Sequence, residues 1–357
     1  MALKLRGRHT LGDFLNDTFA LVPRIWKKAL PVSVAALLPG AALFVAAMAA
    51  FGGKLRAIVA EAPSIEADPS RLLSGLVPLI LLSILASLAL FLGEAFQKAF
   101  VCAQAGAVLE GRDPSLTELA ASAFRPAWLR VAVQDAVLYS LAGSIAFAVV
   151  ASTFLPFLFG KLGDIIRLGE SSGPGIGLIV SFVAAYLGAI LAAVAAVWWL
   201  RARTAVSAPA TVLEGANSFA GIGRSLELTR GRAWRTFGIM FIVSLVISFG
   251  LGILTGPITF VAIMPGYLSF LRATLSGENP SPESIVAFFS SMSWAIGIAM
   301  MIGGVVQGAL ESSFLTLLHA DLRIRAGEVE GAPEEGAPPE AVPAPAPEQV
   351  PGDETIG

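Results

Sequence analysis

Residues 175–200 read GIGLIVSFVAAYLGAILAAVAAVWWL, twenty-six residues without a charged side chain. A helix needs about 20 apolar residues to cross the roughly 30 Å hydrocarbon core of a bilayer, so this stretch is long enough to span a membrane. Five further stretches have the same character, and only one of them contains a formal charge, Asp135. They are Ala29–Phe51, Leu72–Gly93, Val131–Gly160, Phe237–Gly266 and Ile285–Leu310. The sequence therefore predicts an all-α membrane protein with six transmembrane helices.

The composition of the whole chain agrees with a membrane location. Mean hydropathy is +0.76, and charged residues make up 14% of the chain against about a quarter in soluble domains. The single cysteine, Cys102, excludes an intramolecular disulfide and any multi-cysteine metal site. The sequence contains no GxxxxGK[ST] phosphate loop and no HExxH zinc motif. We therefore predict that the chain is not an enzyme, binds no metal or cofactor, and has no nucleic-acid partner.

The basic residues predict the orientation of the spans. Of the 24 Lys and Arg residues, eighteen fall on one set of loops together with both termini, and six fall on the opposite set. The positive-inside rule then places the N- and C-termini in the cytoplasm. The first span begins near residue 29, too far from the start for an ordinary cleavable signal, so we expect it to be retained.

The chain also repeats itself. Val108–Gly111 and Val212–Gly215 are both VLEG, 104 residues apart. An amphipathic segment and then a Trp beside basic residues precede the first, third and fifth spans, at Trp26, Trp128 and Trp234. This pattern predicts three parallel helical-hairpin repeats, approximately 10–111, 112–215 and 216–326, each preceded by a cytoplasmic amphipathic helix. The second of these helices opens with Ser115-x-x-Glu118, the pattern of a capping box.

Residues 327–357 differ in composition from the membrane domain, 1–326. They contain eight acidic residues, no Lys or Arg, and many Pro and Ala. Such a segment has little to bury, so we predict a disordered cytoplasmic tail that solvates the protein more than it binds partners.

Two sets of residues are candidates for a functional role. Gln134 and Asp135 lie inside the third span and form a candidate intramembrane polar site for a proton or cation. Asp135 lies only about 10 Å beyond Trp128 along a helix, so a structural ion pair with Arg130 or Arg201 is the favoured interpretation. The second set contains the interfacial anchors, where a Trp ring and basic side chains meet the headgroup region. Its members are Trp26, Trp128, Trp234, Arg230, Arg232 and Arg235.

Polar residues follow the second and sixth spans, where they form either a polar inner vestibule or the emerging ends of the helices. The second alternative is favoured. These residues are Glu94, Gln97, Lys98, Gln104, Gln307, Glu311 and His319. In the fifth span, Gly252 and Gly256 form a GxxxG pair that predicts close helix packing. A helix broken at Gly256–Pro257 is the alternative.

Residues 223–239, GRSLELTRGRAWRTFGI, resemble a hallmark of bacterial membrane proteins of the glycerophosphoryl diester phosphodiesterase membrane-domain type. Residues 10–21 (TLGDFLNDTFAL) and 317–325 (LLHADLRIR) are similar to the opening and ending of that domain. The resemblance implies a location in the bacterial inner membrane. Some relatives carry a soluble catalytic barrel with metal ligands, whereas residues after the last span here form only a short low-complexity segment. His9 and His319 are too isolated to be assigned as an acid–base pair.

Two classes of function follow. The first is a non-enzymatic scaffold, assembly or lipid-organising module that acts at the cytoplasmic face. Its partners would be the bilayer, anionic lipid headgroups and a membrane protein. The alternative is a transporter or permease for a small molecule or lipid that uses the polar inner vestibule.

Overall fold

A computed structural model describes residues 10–60, 70–123, 126–167, 176–275 and 281–328. Every secondary-structure element in these ranges is an α-helix, and the nine helices are numbered here in chain order. They are α1 (Leu11–Ala60), α2 (Ser70–Leu109), α3 (Leu116–Ala123), α4 (Ala127–Arg167), α5 (Ile176–Arg203), α6 (Ser207–Leu213), α7 (Ser218–Leu228), α8 (Ala233–Leu275) and α9 (Pro282–Arg325). The predicted tail lies outside the described residues apart from Gly327 and Glu328.

Six of these helices are long and apolar enough to cross a membrane: α1, α2, α4, α5, α8 and α9. Each overlaps one predicted span, which confirms an all-helical chain with six apolar helices compatible with a membrane. The helices run well beyond the apolar stretches, and α2 continues from Gly93 to Leu109. An α-helix satisfies its own backbone hydrogen bonds in lipid and in water, so it need not end where the apolar sequence ends.

The predicted amphipathic segments take different forms. The first is the beginning of α1, because nothing between Leu11 and the span ends the helix. The second is the separate helix α3, and its predicted capping box is confirmed. The Ser115 N–H donates to Glu118 Oε2 at 2.8 Å, and the Glu118 N–H donates to Ser115 Oγ at 3.2 Å. The third is α7, whose first turn is capped by the Asn217 side chain.

Consecutive long helices pack against each other as hairpins. These pairs are α1 with α2, α4 with α5, and α8 with α9. The last helix, α9, also packs along α1 and α2, so the first and last helices lie side by side. The α4–α5 hairpin joins the rest of the bundle mainly through α2, and its packing against α8 is less extensive.

The core is concentrated at the end of the bundle that carries α3, α6 and α7, which we call the capped end. Large, fully buried side chains there come from the start of α1, the end of α2 and the end of α9, for example Phe14, Phe100 and Leu317. The phenyl ring of Phe14 meets that of Phe314 edge-on, with centroids 5.9 Å apart. Towards the other end, few of the described residues in the apolar parts of α4 and α5 are buried, as expected for surfaces that face lipid.

Close helix packing depends on glycines other than the GxxxG pair. A Cβ atom on Gly93 of α2 would lie 2.3 Å from the Ala36 carbonyl oxygen of α1. By contrast, a Cβ on Gly252 or Gly256 would meet nothing within 4 Å. The predicted close packing at the GxxxG pair is therefore absent among the described residues. Helix α8 also continues unbroken through Pro257.

Candidate functional site

Helix α7 fits into the break between α5 and α6. The Ser225 and Thr229 hydroxyls donate to the carbonyl oxygen of Arg203, the last residue of α5, at 3.0 and 3.1 Å. Ser225 Oγ also accepts a hydrogen bond from the Val206 N–H at 3.2 Å. The last carbonyls of one helix and the first N–H groups of the next have no partner within their own helix. Ser225 of α7 and Thr229, the residue that follows α7, therefore complete the backbone hydrogen bonding of the neighbouring helices.

A glycine allows α7 to approach α6 closely. A Cβ on Gly221 would lie 2.1 Å from Thr211 Oγ1 and 3.1 Å from the Ser207 carbonyl oxygen. Gly221 interrupts the amphipathic pattern of this segment in the sequence. Its position at the crossing of the two helices accounts for that interruption.

Ion pairs connect this part of the capped end to the end of α9. Arg224 forms ion pairs with Glu214 and Glu227, both at 3.1 Å, and with Glu328. Glu328 also accepts a hydrogen bond from Arg323 Nε at 3.2 Å. Burial alone would raise the pKa of the Glu328 carboxyl, but the hydrogen bonds from the two arginines and their positive charges outweigh it, so the pKa lies below its usual value.

The start of α8 is joined to the end of α9 by a second set of polar contacts. The buried Asp321 carboxylate accepts hydrogen bonds from Arg235 at 3.0 Å and from Arg325 at 2.8 Å. Arg232 donates to the Arg325 carbonyl oxygen at 2.7 Å. Two of the three arginines predicted as headgroup anchors therefore contact α9, whereas Arg230 is exposed.

The predicted Trp anchors occupy different environments. Trp26 is half-buried, and Trp128 packs edge-on against Phe96 of α2 with ring centroids 6.1 Å apart. Trp234 is 75% exposed, and its ring lies 4.8 Å from that of Trp199 on α5. Of the three, Trp234 is the one placed on the outer surface of the bundle.

A cavity of about 160 Å³ lies at the capped end where α2, α4, α5 and α9 meet. Lys98 of α2 pairs with Asp135 of α4, with Nζ and Oδ2 2.7 Å apart. Arg201 of α5 pairs with Glu311 of α9 at 3.0 Å. The Tyr139 side chain also lines the space. Four helices thus bring two cations and two carboxylates to one small cavity.

The two residues of the predicted intramembrane polar site, Gln134 and Asp135, point to different sides of α4. Asp135 faces the cavity, and its partner is Lys98 and not the expected Arg130 or Arg201. The neighbouring Gln134 is buried on another face of α4, where its Oε1 accepts a hydrogen bond from the Thr211 hydroxyl at 2.7 Å. The two side chains therefore do not share a ligand site.

The polar residues that follow the second span also divide between two faces of α2. Lys98 faces the cavity, whereas the amide groups of Gln97 and Gln104 donate to backbone carbonyls of α9 and α1. The helical spacing indicates this division. Glu94 and Lys98 are four residues apart and the two glutamines are seven apart, so each pair lies on one face of the helix. The prediction of one polar group made of all four residues is therefore wrong, because Lys98 lies at the cavity and the two glutamines lie on the other face of α2.

His319 is buried, and its Nε2 lies 2.9 Å from Glu214 Oε1. Within the described ranges, no group of three His, Cys, Asp or Glu side chains is placed to hold a metal ion. Comparisons of the chain with models of protein families, with curated proteins and with solved structures found no match.

Proposed function

We propose that this chain is a non-enzymatic scaffold or lipid-organising module of the phosphodiesterase membrane-domain type. It would lie in the bacterial inner membrane with both termini in the cytoplasm, so that the capped end faces the cytoplasm. The eighteen-to-six distribution of basic residues supports this orientation. The resemblance of residues 223–239 supports the family.

The observation that carries the proposal is that charged side chains at the capped end form ion pairs between helices. Arg224, Arg235 and their acidic partners join α7 and α8 to the end of α9. Side chains that hold elements together in this way build a fixed polar surface on an apolar bundle. A surface of that kind suits the binding of headgroups or of another membrane protein more than it suits chemical turnover.

We also propose that the three hairpins are repeats of one unit. Gly111, Gly215 and Gly327 support this proposal, because each has φ between 70° and 78° just after a helix in the corresponding place. Only glycine adopts this conformation without strain, and it commonly ends helices. Two of these glycines close the VLEG sequences, and the third follows α9.

Lipid retention tests the proposed role. Arg230 is exposed and free to reach headgroups, whereas Arg235 also holds α9 through Asp321. We expect Arg230→Gln to reduce the anionic lipid that copurifies with the protein without lowering thermal stability, since each basic residue near the surface contributes about 1 kcal/mol. Arg235→Gln should lower stability. Arg272→Gln, at the other end of α8, is the matched control.

The proposal also excludes hydrolysis of glycerophosphodiesters by this chain. Purified protein supplied with divalent metal should show no turnover above background. Activity that depends on His319, tested with His319→Ala, would contradict the proposal.

The cavity favours a second candidate function, passage of a small polar solute. Its volume of about 160 Å³ is well below the roughly 300–1,000 Å³ of typical ligand pockets, so we place this candidate second. A transporter should let a membrane-impermeant thiol reagent reach a cysteine at Ala142, which lines the cavity, from both sides of the membrane. A scaffold should allow access from one side at most.

A further inference from the structure

The charged cavity adjoins the apolar parts of the bundle. Across the capped end it is lined mainly by residues of α2, α4, α5 and α9. A much smaller space of about 20 Å³ between α8 and α9 shares Met240, Glu311 and Leu315 with it. The α4–α5 hairpin, which borders the cavity, packs less extensively against α8 than against α2. Helix α5, which carries Arg201 at the cavity, continues from it through an apolar span.

The two ion pairs in the cavity use only some of the hydrogen-bond donors and acceptors of their charged side chains. An ammonium group carries three N–H donors and a guanidinium five, and each carboxylate accepts several hydrogen bonds. Within the described residues, Lys98 donates to Asp135 and Arg201 donates to Glu311. Both cations and both carboxylates thus keep capacity for a ligand that carries charges of both signs.

The balance of charge disfavours a ligand that is only anionic. Glu94 lies one turn before Lys98 on α2, close enough to Lys98, Asp135 and Glu311 to interact with them electrostatically. Three carboxylates then stand against the two cations, Lys98 and Arg201. A group that brings a cation of its own complements this site better than a phosphate alone.

The bundle also offers an apolar surface beside the cavity that a soluble solute would not need. Leu187, Leu191 and Val194 are exposed along α5, the helix that carries Arg201. Such a surface suits acyl chains.

We propose that the cavity binds the headgroup of an amine-bearing phospholipid, with the phosphodiester at Lys98 and Arg201 and the ammonium at Asp135 and Glu311. The acyl chains lie along the exposed apolar face of α5. This inference rests on the proposed lipid-organising function and names its ligand. The volume of about 160 Å³ is of the size that a headgroup needs.

Native mass spectrometry of the full chain in mild detergent tests the proposal, with phosphatidylethanolamine, phosphatidylglycerol or free phosphoethanolamine added in separate arms. The variant is Glu311→Gln, which keeps the shape of the side chain and removes one carboxylate. The matched control is Glu110→Gln, which removes the carboxylate of an exposed pair with Arg112 outside the cavity. Thermal unfolding of each variant checks that it folds, and Asp135→Asn serves as a second variant.

We expect Glu311→Gln to lose about tenfold in affinity for phosphatidylethanolamine, the size of one charge-assisted hydrogen bond, and to bind phosphatidylglycerol as the wild type does. Glu110→Gln should behave as wild type. Equal affinity for phosphatidylethanolamine in Glu311→Gln and Glu110→Gln would overturn the proposal. Free phosphoethanolamine binding as tightly as the lipid would also overturn it, because the acyl chains would then contribute nothing. Retention of phosphatidylglycerol alone would overturn this inference and leave the proposed function standing, whereas retention of no lipid would overturn both.

Discussion

The hydroxyl of Ser225 serves two backbone groups that belong to different helices. It donates to the backbone carbonyl oxygen of Arg203, the last residue of α5, and it accepts from the N–H of Val206, the residue before α6. We expect Ser225→Ala to destabilise the protein by about 1–3 kcal/mol, because a buried backbone group that loses its partner keeps its desolvation cost. Thermal unfolding in detergent measures the loss.

A suitable control is Ser87→Ala, since the Ser87 hydroxyl is exposed and donates only to the Ser83 carbonyl within its own helix. Its unfolding temperature should stay close to that of the wild type. If the two variants unfold at the same temperature, Ser225 does not join the helices as described.

Acid should loosen the contact between the end of α9 and α7. The pKa of Glu328 is below its usual value because hydrogen bonds from Arg224 and Arg323 outweigh the effect of burial. The contribution of Glu328 to stability is therefore complete above the ordinary glutamate pKa of about 4.3 and is lost as pH falls through the lowered value.

Amide hydrogen exchange at residues 323–328, corrected for the intrinsic pH dependence of exchange, should accordingly show less protection below about pH 4. In Glu328→Gln the protection should already be lower at pH 7 and should change less with pH. Glu118→Gln, which removes an exposed carboxylate of α3, is the control. An unchanged pH profile in Glu328→Gln would show that Glu328 does not hold the end of α9 to α7.

Single residues were only partly predictable from the sequence. Asp135 stood out because a carboxylate within an apolar span is costly, and it does form an ion pair, but with Lys98 and not with the expected Arg130 or Arg201. Its partner could not be predicted, because Lys98 reaches it through the packing of α2 on α4, which no local pattern encodes. The roles of Ser225 and Gly221 were hidden for the same reason.

At the scale of elements, one glycine decides how closely α1 and α2 pack. We expect Gly93→Ala to destabilise the protein, since the added Cβ would lie 2.3 Å from a backbone oxygen and the helices would have to separate. Alanine has the better helix propensity by about 1 kcal/mol, so any loss is due to packing.

The same change at Gly252, where a Cβ meets nothing, should be neutral or slightly stabilising. Thermal unfolding of the two variants side by side separates packing from propensity. Equal stability would show that α1 and α2 can adjust without cost.

The sequence predicted elements well where the signal is local. The capping box at Ser115 and Glu118 depends on four consecutive residues, and it was found as predicted. The seven-residue helix α6 was not predicted, because it is too short for a period and depends on α7 for partners. The prediction of close packing from the GxxxG pattern was wrong, because the pattern gives the spacing of two glycines but not which face of the helix contacts another helix.

At the scale of the whole molecule, the orientation in the membrane remains a prediction with a direct test. In a Cys102→Ala background, cysteines replace Phe219 at the capped end and Leu275 at the opposite end of α8, side chains that are 66% and 77% exposed. A membrane-impermeant thiol reagent added to intact cells should label the cysteine at position 275 and miss the one at 219. Labelling at 219 would reverse the topology.

The number and approximate positions of the apolar helices could be predicted because hydropathy and length are properties of each stretch alone. The cavity could not, because it needs Lys98, Asp135, Arg201 and Glu311 from four helices whose arrangement is a property of the packed bundle.

The pairing of the first and last helices has a consequence for biosynthesis. Phe14 of α1 meets Phe314 of α9, three hundred residues later in the chain. At about 5–20 residues per second, a ribosome needs roughly 15–60 s to make the intervening polypeptide. Throughout that time the apolar stripe at the start of α1 waits without its final neighbour. A nascent chain that stops before α9 would keep this stripe uncovered, which gives membrane quality control a means to tell incomplete chains from finished ones.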